Sequence, residues 1–310
     1  MEFTREKLTR CVSRHLDIPE AEFKRIPTGR FNTSFYVRAR ERDYVLRIAP
    51  PDDGVFLFYE KNMMRQEPGL HGLLLEKTDA PVPGIIAFDW SRSVIGADYL
   101  IMERLPGIPL SDSPAACAGE ILRQTGAALS KVHAITANKY GYLGEHAPMK
   151  PRDSWKEAFA VMWESLIGDV EGTGHYTAAD CRFMAGLLDR HADAFERHVP
   201  ASLLHMDVWA ENLLVSGGDL SGILDWDRAL WGDREIEYAV LDYCGISEPE
   251  FWEGYGRKRD RSGDARLRGI FYYLYELQKY IVIRHGRQNN PVLARSYRDA
   301  ALASARELAS

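Results

Sequence analysis

The chain has 310 residues, which is long enough for two hydrophobic cores, because a single core stops growing at about 250 to 300 residues. Hydrophobic residues make up 45% of the sequence and charged residues 27%, a composition that excludes a largely disordered chain. The net charge of −6 argues against nucleic acid as the main partner, since phosphate backbones are bound by clustered Lys and Arg. A small cationic partner is compatible with this charge.

The cysteines and the N-terminus both indicate a reducing, aqueous compartment. No Cys-x-x-Cys pair occurs, so we expect buried free thiols rather than disulfides or a zinc site at the four cysteines, which are Cys11, Cys117, Cys181 and Cys244. The first residues are charged and lack the apolar stretch of a signal peptide, and no run of about 18 apolar residues is present. We therefore expect a cytoplasmic protein with no membrane partner.

The first third of the chain predicts one amphipathic helix followed by an antiparallel sheet. Apolar residues recur at helical spacing between Leu8 and Leu16. Runs rich in β-branched and aromatic residues predict strands at 35–37, 44–48, 85–88 and 99–102, with a charged turn at 40–43. A helix is expected between residues 58 and 77, broken or kinked at Pro68-Gly69.

Helical periodicity dominates the remainder of the chain, after a connector rich in Pro and Gly at residues 105–109. Helices are expected at residues 115–135, 155–167, 178–198, 248–256, 264–285 and 291–308. Between them lies one group of short strands, at residues 203–205, 213–215 and 223–225. The whole pattern predicts an α+β fold with two lobes: an N-terminal antiparallel sheet lobe at residues 1–104 and a mainly helical C-terminal lobe at residues 105–310.

A polar motif occupies the loop between the first two of these short strands. In the segment that begins with His205, a carboxylate at Asp207 and an amide at Asn212 are fixed five positions apart. This His-x-Asp-x-x-x-x-Asn arrangement matches kinase catalytic loops, in which phosphoryl transfer depends on positioning groups and metal ligands. Asp207 is the candidate catalytic residue that orients a hydroxyl and accepts its proton. Asn212 is a candidate Mg²⁺ ligand, and His205 is expected to hold the loop in place.

A second carboxylate, Asp225, follows the apolar run of residues 221–224. A buried strand would deliver this carboxylate beside the same metal ion as Asn212. Mg²⁺ prefers hard oxygen ligands and usually keeps some waters, so one carboxylate, one amide and phosphate oxygens suffice. The alternative is that His205 is a core histidine and the acids are turn residues. The succession of strand, polar loop, strand and turn favours the chemical interpretation.

At these residues the sequence resembles the aminoglycoside phosphotransferase superfamily, and the resemblance extends over most of the chain. The segment Ile223-Leu224-Asp225-Trp226-Asp227 is similar to the I-x-D-W-D motif of that family, and Gly232-Asp233-Arg234-Glu235 is similar to its G-D-x-x turn. The resemblance implies a bilobal protein-kinase-like fold, Mg²⁺ with ATP or GTP, and a small-molecule acceptor. An aminoglycoside or related amino sugar is the expected acceptor, with fructosamine, choline and homoserine as alternatives.

The resemblance also implies nucleotide-binding residues in the first lobe. The loop of residues 28–34 around Gly29 looks like the nucleotide-covering loop, although a plain hairpin turn has the same pattern. Arg47 stands where the family usually has its phosphate-binding Lys, with Glu67 as the acidic partner; a surface arginine on an edge strand is the alternative. Backbone groups of Glu103 and Leu105 would contact the purine, unless this segment is only a linker.

Two clusters could shape the acceptor site. Acidic residues at 227, 233, 235, 237 and 242 could receive ammonium groups, although such a cluster is more often a solvated face. The aromatic residues at 271–275, with Tyr280, are expected to pack as helical core rather than line a sugar pocket. Met206 stands where many family members have Gly, and with the bulky Trp209 it would make the acceptor site narrower or more apolar.

Two other functions compete with a small-molecule kinase. A protein kinase is disfavoured because Trp231-Gly232-Asp233 follows Asp225 too closely for a long activation segment. A catalytically weak nucleotide-binding scaffold is suggested by Arg47 and Met206, but the retention of all the motif's polar residues argues against it.

Overall fold

In the computed structural model, described for residues 3–18, 20–29, 31–39 and 42–309, one helix precedes a five-stranded sheet. Helix α1 spans Arg5–Ser13. The strands are β1 (Glu22–Arg25), β2 (Thr33–Ala39), β3 (Arg42–Ile48), β4 (Ile85–Asp89) and β5 (Tyr99–Glu103). They pair antiparallel in the order β1-β2-β3-β5-β4, which confirms the predicted sheet. Arg30, in the predicted nucleotide-covering loop, and Arg40 and Glu41, in the predicted charged turn, lie outside the described residues.

Strand β3 lies inside this sheet and is covered on both faces. It pairs with β2 on one side and β5 on the other. Leu46 and Ile48 pack with α1 in one apolar cluster, whereas Val45 packs with Met64 in another. Because successive side chains of a strand alternate between faces, residue 47 shares the face of Val45 and points away from α1.

Helix α2 spans Glu67–Lys77, so the helix predicted from residue 58 is wrong over its first half. The preceding residues form turns and a 3₁₀ helix, Met63–Gln66. Pro68 lies in the first turn of α2, where its missing N–H costs no intrahelical hydrogen bond. The Pro-Gly pair therefore marks the start of a helix rather than an interior kink.

The rest of the chain is mainly helical. The helices are α3 (Ala118–Val132), α4 (Trp155–Gly172), α5 (Ala178–Arg190), α6 (Arg234–Tyr243), α7 (Pro249–Tyr255), α8 (Gly263–Gly286) and α9 (Pro291–Ala309). The short strands are β6 (Ile108–Pro109), β7 (Thr136–Ala137), β8 (Ala201–Leu204), β9 (Leu213–Ser216), β10 (Asp219–Ile223) and β11 (Leu230–Gly232). They form two small sheets, ordered β10-β9-β6 and β11-β8-β7.

Two helical predictions differ from the structure. The helix predicted at 178–198 ends at Arg190 and is followed by the 3₁₀ helix Ala192–Phe195. Helix α6 was not predicted, because its many acidic residues suggested a charged cluster. The other predicted helices of this region are present.

The cores join the two parts of the chain. The largest cluster unites aromatic residues of α4 and α8 with Leu57, Tyr59 and Met63 from the segment before α2. A second cluster unites Leu70 and Leu74 of α2 with residues of α3, β8, β9 and α7. As predicted, Phe271, Tyr272 and Tyr275 belong to the helical core. The division of the lobes between residues 104 and 105 stays a prediction.

The cysteine prediction is half correct. All four cysteines are free thiols, but only Cys11 is fully buried, and the other three are partly exposed. Within the described part of the chain, no helix combines the length and apolar character needed to cross a bilayer.

Candidate active site

The loop that follows β8 is held by a carboxylate from α6. Met206 has a φ of +66°, a left-handed conformation that costs a residue with a side chain about 1–2 kcal/mol. The buried Glu237 accepts hydrogen bonds from the amides of Met206 at 2.7 Å and His205 at 3.0 Å, and lies 2.7 Å from His133 Nε2. These bonds offset the backbone strain, and they explain how Met occupies a position that favours Gly.

His205 links this loop to the strand that carries the second carboxylate. Its Nδ1 accepts from the Asp207 amide at 3.1 Å, and its Nε2 lies 2.8 Å from the Leu224 carbonyl oxygen. Burial lowers the pKa of this imidazole, which is therefore neutral, with its proton on Nε2 for donation to Leu224. These contacts hold the backbone on both sides of the site, as the sequence predicted.

Asp207 and Asn212 face each other across the loop. The Asn212 side-chain nitrogen donates to the Asp207 carbonyl at 2.9 Å and lies 3.4 Å from its Oδ2. The other carboxylate oxygen of Asp207 is 3.3 Å from the Arg228 guanidinium. The Asp207 side chain retains 22% exposure, so it can still receive a ligand atom.

Arg47 is buried on the central strand β3, which excludes the alternative of a surface arginine on an edge strand. Its guanidinium lies 2.7 Å from Glu67, 2.6 Å from Asp225 and 3.2 Å from Asp227. Burial opposes the positive charge, but these three carboxylates together raise the pKa of Arg47. The arginine fork therefore joins α2 to both acids of the Asp-Trp-Asp segment.

The two aspartates of that segment have different surroundings. Asp225 has a left-handed φ of +62° and a side chain that is 41% exposed, facing the cavity described below. Asp227 is buried and accepts from Asn32 Nδ2 at 3.1 Å as well as from Arg47. Burial raises the pKa of Asp227 to about 7; the attraction of Arg47 opposes this rise, and repulsion from Asp225 adds to it.

A cavity of about 590 Å³ connects these groups. Of the predicted site residues, it is lined by Gly29, Arg47, Glu103, Leu105, Asp207, Asn212 and Asp225. Glu67 does not line it, but reaches it through Arg47. The structure thus brings every predicted site residue to one cavity or to direct contact with a residue of its wall.

The loop at Gly29 and the segment at Glu103 are the remaining parts of the predicted nucleotide site. Gly29 lies between β1 and β2 and lines the cavity. A Cβ there would stand 2.8 Å from the Asn32 carbonyl oxygen, so a larger residue would force the backbone to shift. The Glu103 amide donates to the Gly84 carbonyl at 2.9 Å, and its carboxylate accepts from the Gly84 amide at 3.0 Å. The purine contacts of Glu103 and Leu105 stay predictions.

The acidic cluster after the motif is neither a solvated face nor an ammonium site. Asp233 and Glu235 contact Arg197, and Glu235 also contacts Arg268. Asp227 and Glu237 are buried in the contacts described above, and of the five acids only Asp242 is on the surface, paired there with Arg259. The helical part therefore uses these acids to hold its own loops and helices.

Several cavity residues were not identified from the sequence. Arg228, which directly follows the Asp-Trp-Asp segment, contacts both Asp207 and the buried Glu60, and Arg287 also contacts Glu60. Arg284 lines the cavity as well. Tyr280 was expected in the helical core, but it is only partly buried and lines the cavity, so the alternative of a pocket residue holds for it. A motif neighbour could have indicated Arg228, but nothing in the sequence around Glu60 relates it to a residue 227 positions later.

The sequence is similar to known proteins over most of its length. The model of the family described as "Phosphotransferase enzyme family" matches residues 22–270. Hygromycin-B 4-O-kinase of Escherichia coli is 22% identical to this chain over 301 residues, which is 92% of this chain and 81% of that protein. A protein named "Probable ketoamine kinase" of Lactiplantibacillus plantarum is 24% identical, over 82% of this chain and 85% of that protein.

A solved structure shows the fold. A thermostable mutant of aminoglycoside phosphotransferase APH(4)-Ia, in a ternary complex with AMP-PNP and hygromycin B, superposes with a TM-score of 0.67 at 18% identity. The superposition covers 96% of this chain and 98% of that one. The predicted bilobal, kinase-like α+β fold is thereby confirmed.

Proposed function

Since this chain belongs to the phosphotransferase enzyme family, whose model matches residues 22–270, we propose that it transfers the γ-phosphoryl group of ATP, with Mg²⁺, to a hydroxyl of a small molecule. Family membership makes the protein a small-molecule O-phosphotransferase. The use of ATP and Mg²⁺ is supported by the convergence of Asp207, Asn212, Asp225 and Arg47 on one cavity.

Asp207 acts on the acceptor. Its carboxylate orients the hydroxyl and takes the proton as the hydroxyl oxygen bonds to the γ-phosphorus and the bond to the β–γ bridging oxygen breaks. Arg228 and Asn212 hold the two carboxylate oxygens on one side, so the exposed side of Asp207 faces the cavity. Positioning of this kind is the main contribution a protein makes to phosphoryl transfer.

Asn212 and Asp225 are the residues that would hold Mg²⁺. Asn212 donates from its amide nitrogen to Asp207, which leaves its amide oxygen as the ligand atom, and the exposed carboxylate of Asp225 would be the second ligand. One carboxylate and one amide fit Mg²⁺, which usually takes few protein oxygens and binds phosphate and water oxygens as well. When bound, the ion offsets the negative charge on the phosphoryl oxygens.

Arg47 and the loop at Gly29 bind the phosphates. Arg47 carries its charge on a rigid fork held by Glu67, and part of it lines the cavity. Near it, Asn32 Oδ1 and Glu67 Oε1 are buried acceptors without a donor among the described residues. Asn32 lines a small pocket beside Arg47 and Asp225, so a ligand bound there would supply a donor to its oxygen.

ATP is the proposed phosphoryl donor, and the cytoplasm is the proposed compartment. AMP-PNP, an ATP analogue, is bound in the related APH(4)-Ia structure, which supports ATP; GTP stays an alternative. A cytoplasmic location is proposed because ATP and Mg²⁺ are supplied there.

Two acceptor classes have support from relatives. The first is an aminoglycoside or amino sugar, supported by the hygromycin-B kinase, and the second is a ketoamine, supported by the Lactiplantibacillus relative. Asp233, Glu235 and Glu237 of the acidic cluster do not serve a polycation, because they are engaged by arginine, histidine and backbone groups.

The direct test is ADP release by the purified protein with Mg-ATP and a panel of aminoglycosides, amino sugars, ketoamines, choline and homoserine. We expect at least one acceptor to raise ADP release well above the rate with ATP alone, and Asp207→Ala to abolish the increase. Nucleotide binding without acceptor-dependent turnover would support a binding scaffold instead.

A further inference from the structure

The C-terminal end of α8 brings arginine side chains to the part of the cavity lined by Asp207, Tyr243 and Tyr280, which we call its acceptor end. We infer that the acceptor carries an anionic group, a carboxylate or a phosphate, which binds to Arg284 and Arg287 while its hydroxyl reaches Asp207. This inference rests on the proposed function, because it assumes that the acceptor occupies this part of the cavity.

The position of Arg284 follows from its neighbours. Arg284, Arg287 and Gln288 line the same cavity as Asp207, together with Tyr243 and Tyr280. The guanidinium of Arg284 lies 5.3 Å from the centroid of the Tyr280 ring. Tyr280 in turn lies close enough to Asp207 for that carboxylate to help raise its pKa, after the larger effect of burial. Arg284 and the proposed proton acceptor therefore line one cavity, with Tyr280 beside Arg284 in its wall.

The charge of Arg284 has no counterpart. Among the described residues no carboxylate oxygen lies within ion-pair distance of it, and its hydrogen bond goes to the neutral side chain of Gln288. Its other neighbours are the rings of Tyr280 and, at 5.6 Å, Tyr297. A partly buried cation is costly without an anionic partner. The aromatic faces compensate only part of that cost, so a negatively charged ligand group would complete the site.

Arg287 and Arg228 extend the positive surface. Both contact the single buried carboxylate of Glu60, and Arg228 also contacts Asp207. Glu60 and Asp207 thus pair with Arg228 and Arg287, whereas Arg284 lines the same cavity outside these ion pairs. Glu211 also lines the cavity, but it lies on the 3₁₀ turn after the catalytic residue, which packs against β6 on the hinge side. The α8 wall favours an anion.

The stacked tyrosines suit the remainder of such an acceptor. Tyr243 and Tyr280 stack at 4.7 Å between ring centroids, and Tyr280 and Tyr297 at 5.4 Å. Their ring faces offer apolar contact to the carbon skeleton of a sugar or polyol. An acceptor with several hydroxyls and one acidic group matches this wall better than a polyamine does.

The test compares six-carbon sugar derivatives of different charge. Binding of gluconate, glucose 6-phosphate, glucose and glucosamine is measured by calorimetry on the full-length protein saturated with Mg-ADP, at low ionic strength. We expect at least one of the two anions to bind about tenfold more tightly than glucose or glucosamine. Gluconate against glucose 6-phosphate then separates a carboxylate acceptor from a phosphate acceptor.

Variants assign that preference to the α8 wall. Arg284→Gln should remove most of the roughly tenfold preference for the anion, and Arg284→Lys should retain much of it. Arg266→Gln, at an exposed position on the same helix, is the matched control and should change nothing. Arg284 also lies in the last turn of α8, where a positive charge is favoured. If that were its only role, Arg284→Gln would lower Tm without changing the preference.

The outcomes separate the two proposals. Absence of Mg-ADP binding would contradict the proposed function. Mg-ADP binding with equal or tighter binding of glucosamine and glucose than of both anions would overturn only the anionic acceptor. An anion preference that survives Arg284→Gln would also overturn it.

Discussion

Arg47 occupies the strand position predicted for the phosphate-binding residue, but its contacts differ from those a lysine would make. Its position on a strand with alternating burial was predictable, and so was its pairing with Glu67, which is 2.7 Å away. Its contacts with both Asp225 and Asp227 were not predictable, because they depend on the two parts of the chain coming together. An ammonium group at this position could not span three carboxylates as a planar fork does.

The first prediction concerns this fork. Arg47→Ala should raise the KM for ATP about tenfold or more, since the loss of a charge-assisted phosphate contact is worth at least that factor. Arg38→Ala, on the neighbouring strand β2 with a side chain that is 70% exposed, is the matched control and should leave the KM unchanged. Circular dichroism checks that Arg47→Ala folds, and Arg47→Lys serves as the variant if it does not. An unchanged KM for ATP in a folded Arg47 variant would remove this residue from the nucleotide site.

At the level of elements, the catalytic loop depends on a helix that the sequence did not reveal. The strands at 203–215 and the polar loop between them were predictable, because apolar runs flank a motif of fixed spacing. Helix α6 was hidden by its acids, although Ile236, Ala239, Val240 and Leu241 form a buried stripe on it. The role of α6 depends on a contact between residues about 30 positions apart, in which the Glu237 carboxylate accepts from the amides of His205 and Met206.

Glu237→Gln tests this support. One amide oxygen replaces two carboxylate oxygens that serve His133 and the amides of His205 and Met206, so at least one buried donor loses its partner. We expect a loss of about 1–3 kcal/mol in the free energy of unfolding and a lower kcat with an unchanged KM for ATP. Urea denaturation and steady-state kinetics measure both effects. Asp242→Asn, on the surface of the same helix, is the control, and equal behaviour of the two variants would contradict a role in holding the loop.

At the scale of the whole molecule, the sequence predicted the class of fold but not how the parts interlock. The sequence predicts helix from residue 58, whereas residues 58–62 form turns that pack into the core of α4 and α8. Periodicity cannot report such packing, because the partners are more than 100 positions apart, as for the bond from the Phe58 amide to Asp169. The acceptor end of the cavity was unpredictable for the same reason.

The contact between the Phe58 amide and the Asp169 carboxylate makes the free energy of unfolding depend on pH. Burial raises the pKa of Asp169 to about 6, even though the Phe58 amide donates to it at 2.7 Å. Because this folded-state pKa exceeds the unfolded value of about 3.9, the contribution of Asp169 to stability is present at acidic pH and is lost as the pH rises through about 4 to 6. Asp169→Asn avoids that loss and can still accept the hydrogen bond.

We therefore expect the free energy of unfolding of Asp169→Asn, relative to that of the wild type, to increase by about 1–2 kcal/mol from pH 4.5 to pH 7. Urea denaturation at both pH values measures the difference. Glu164→Gln, at an exposed position of the same helix, should show no such trend. If the difference in free energy of unfolding between Asp169→Asn and the wild type were the same at both pH values, Asp169 would not titrate in this range.

In the proposed mechanism Asp207 acts on the acceptor and Asp225 on the metal-bound nucleotide. The Kd for Mg-ATP and the kcat of Asp207→Ala and Asp225→Asn, measured beside the wild type, test this division most directly. We expect Asp207→Ala to lose about 10²–10⁴ in kcat with little change in Kd, whereas Asp225→Asn weakens Mg-ATP binding and turnover together. Comparable loss of Mg-ATP binding in Asp207→Ala, or unaltered Mg²⁺ dependence in Asp225→Asn, would contradict these roles.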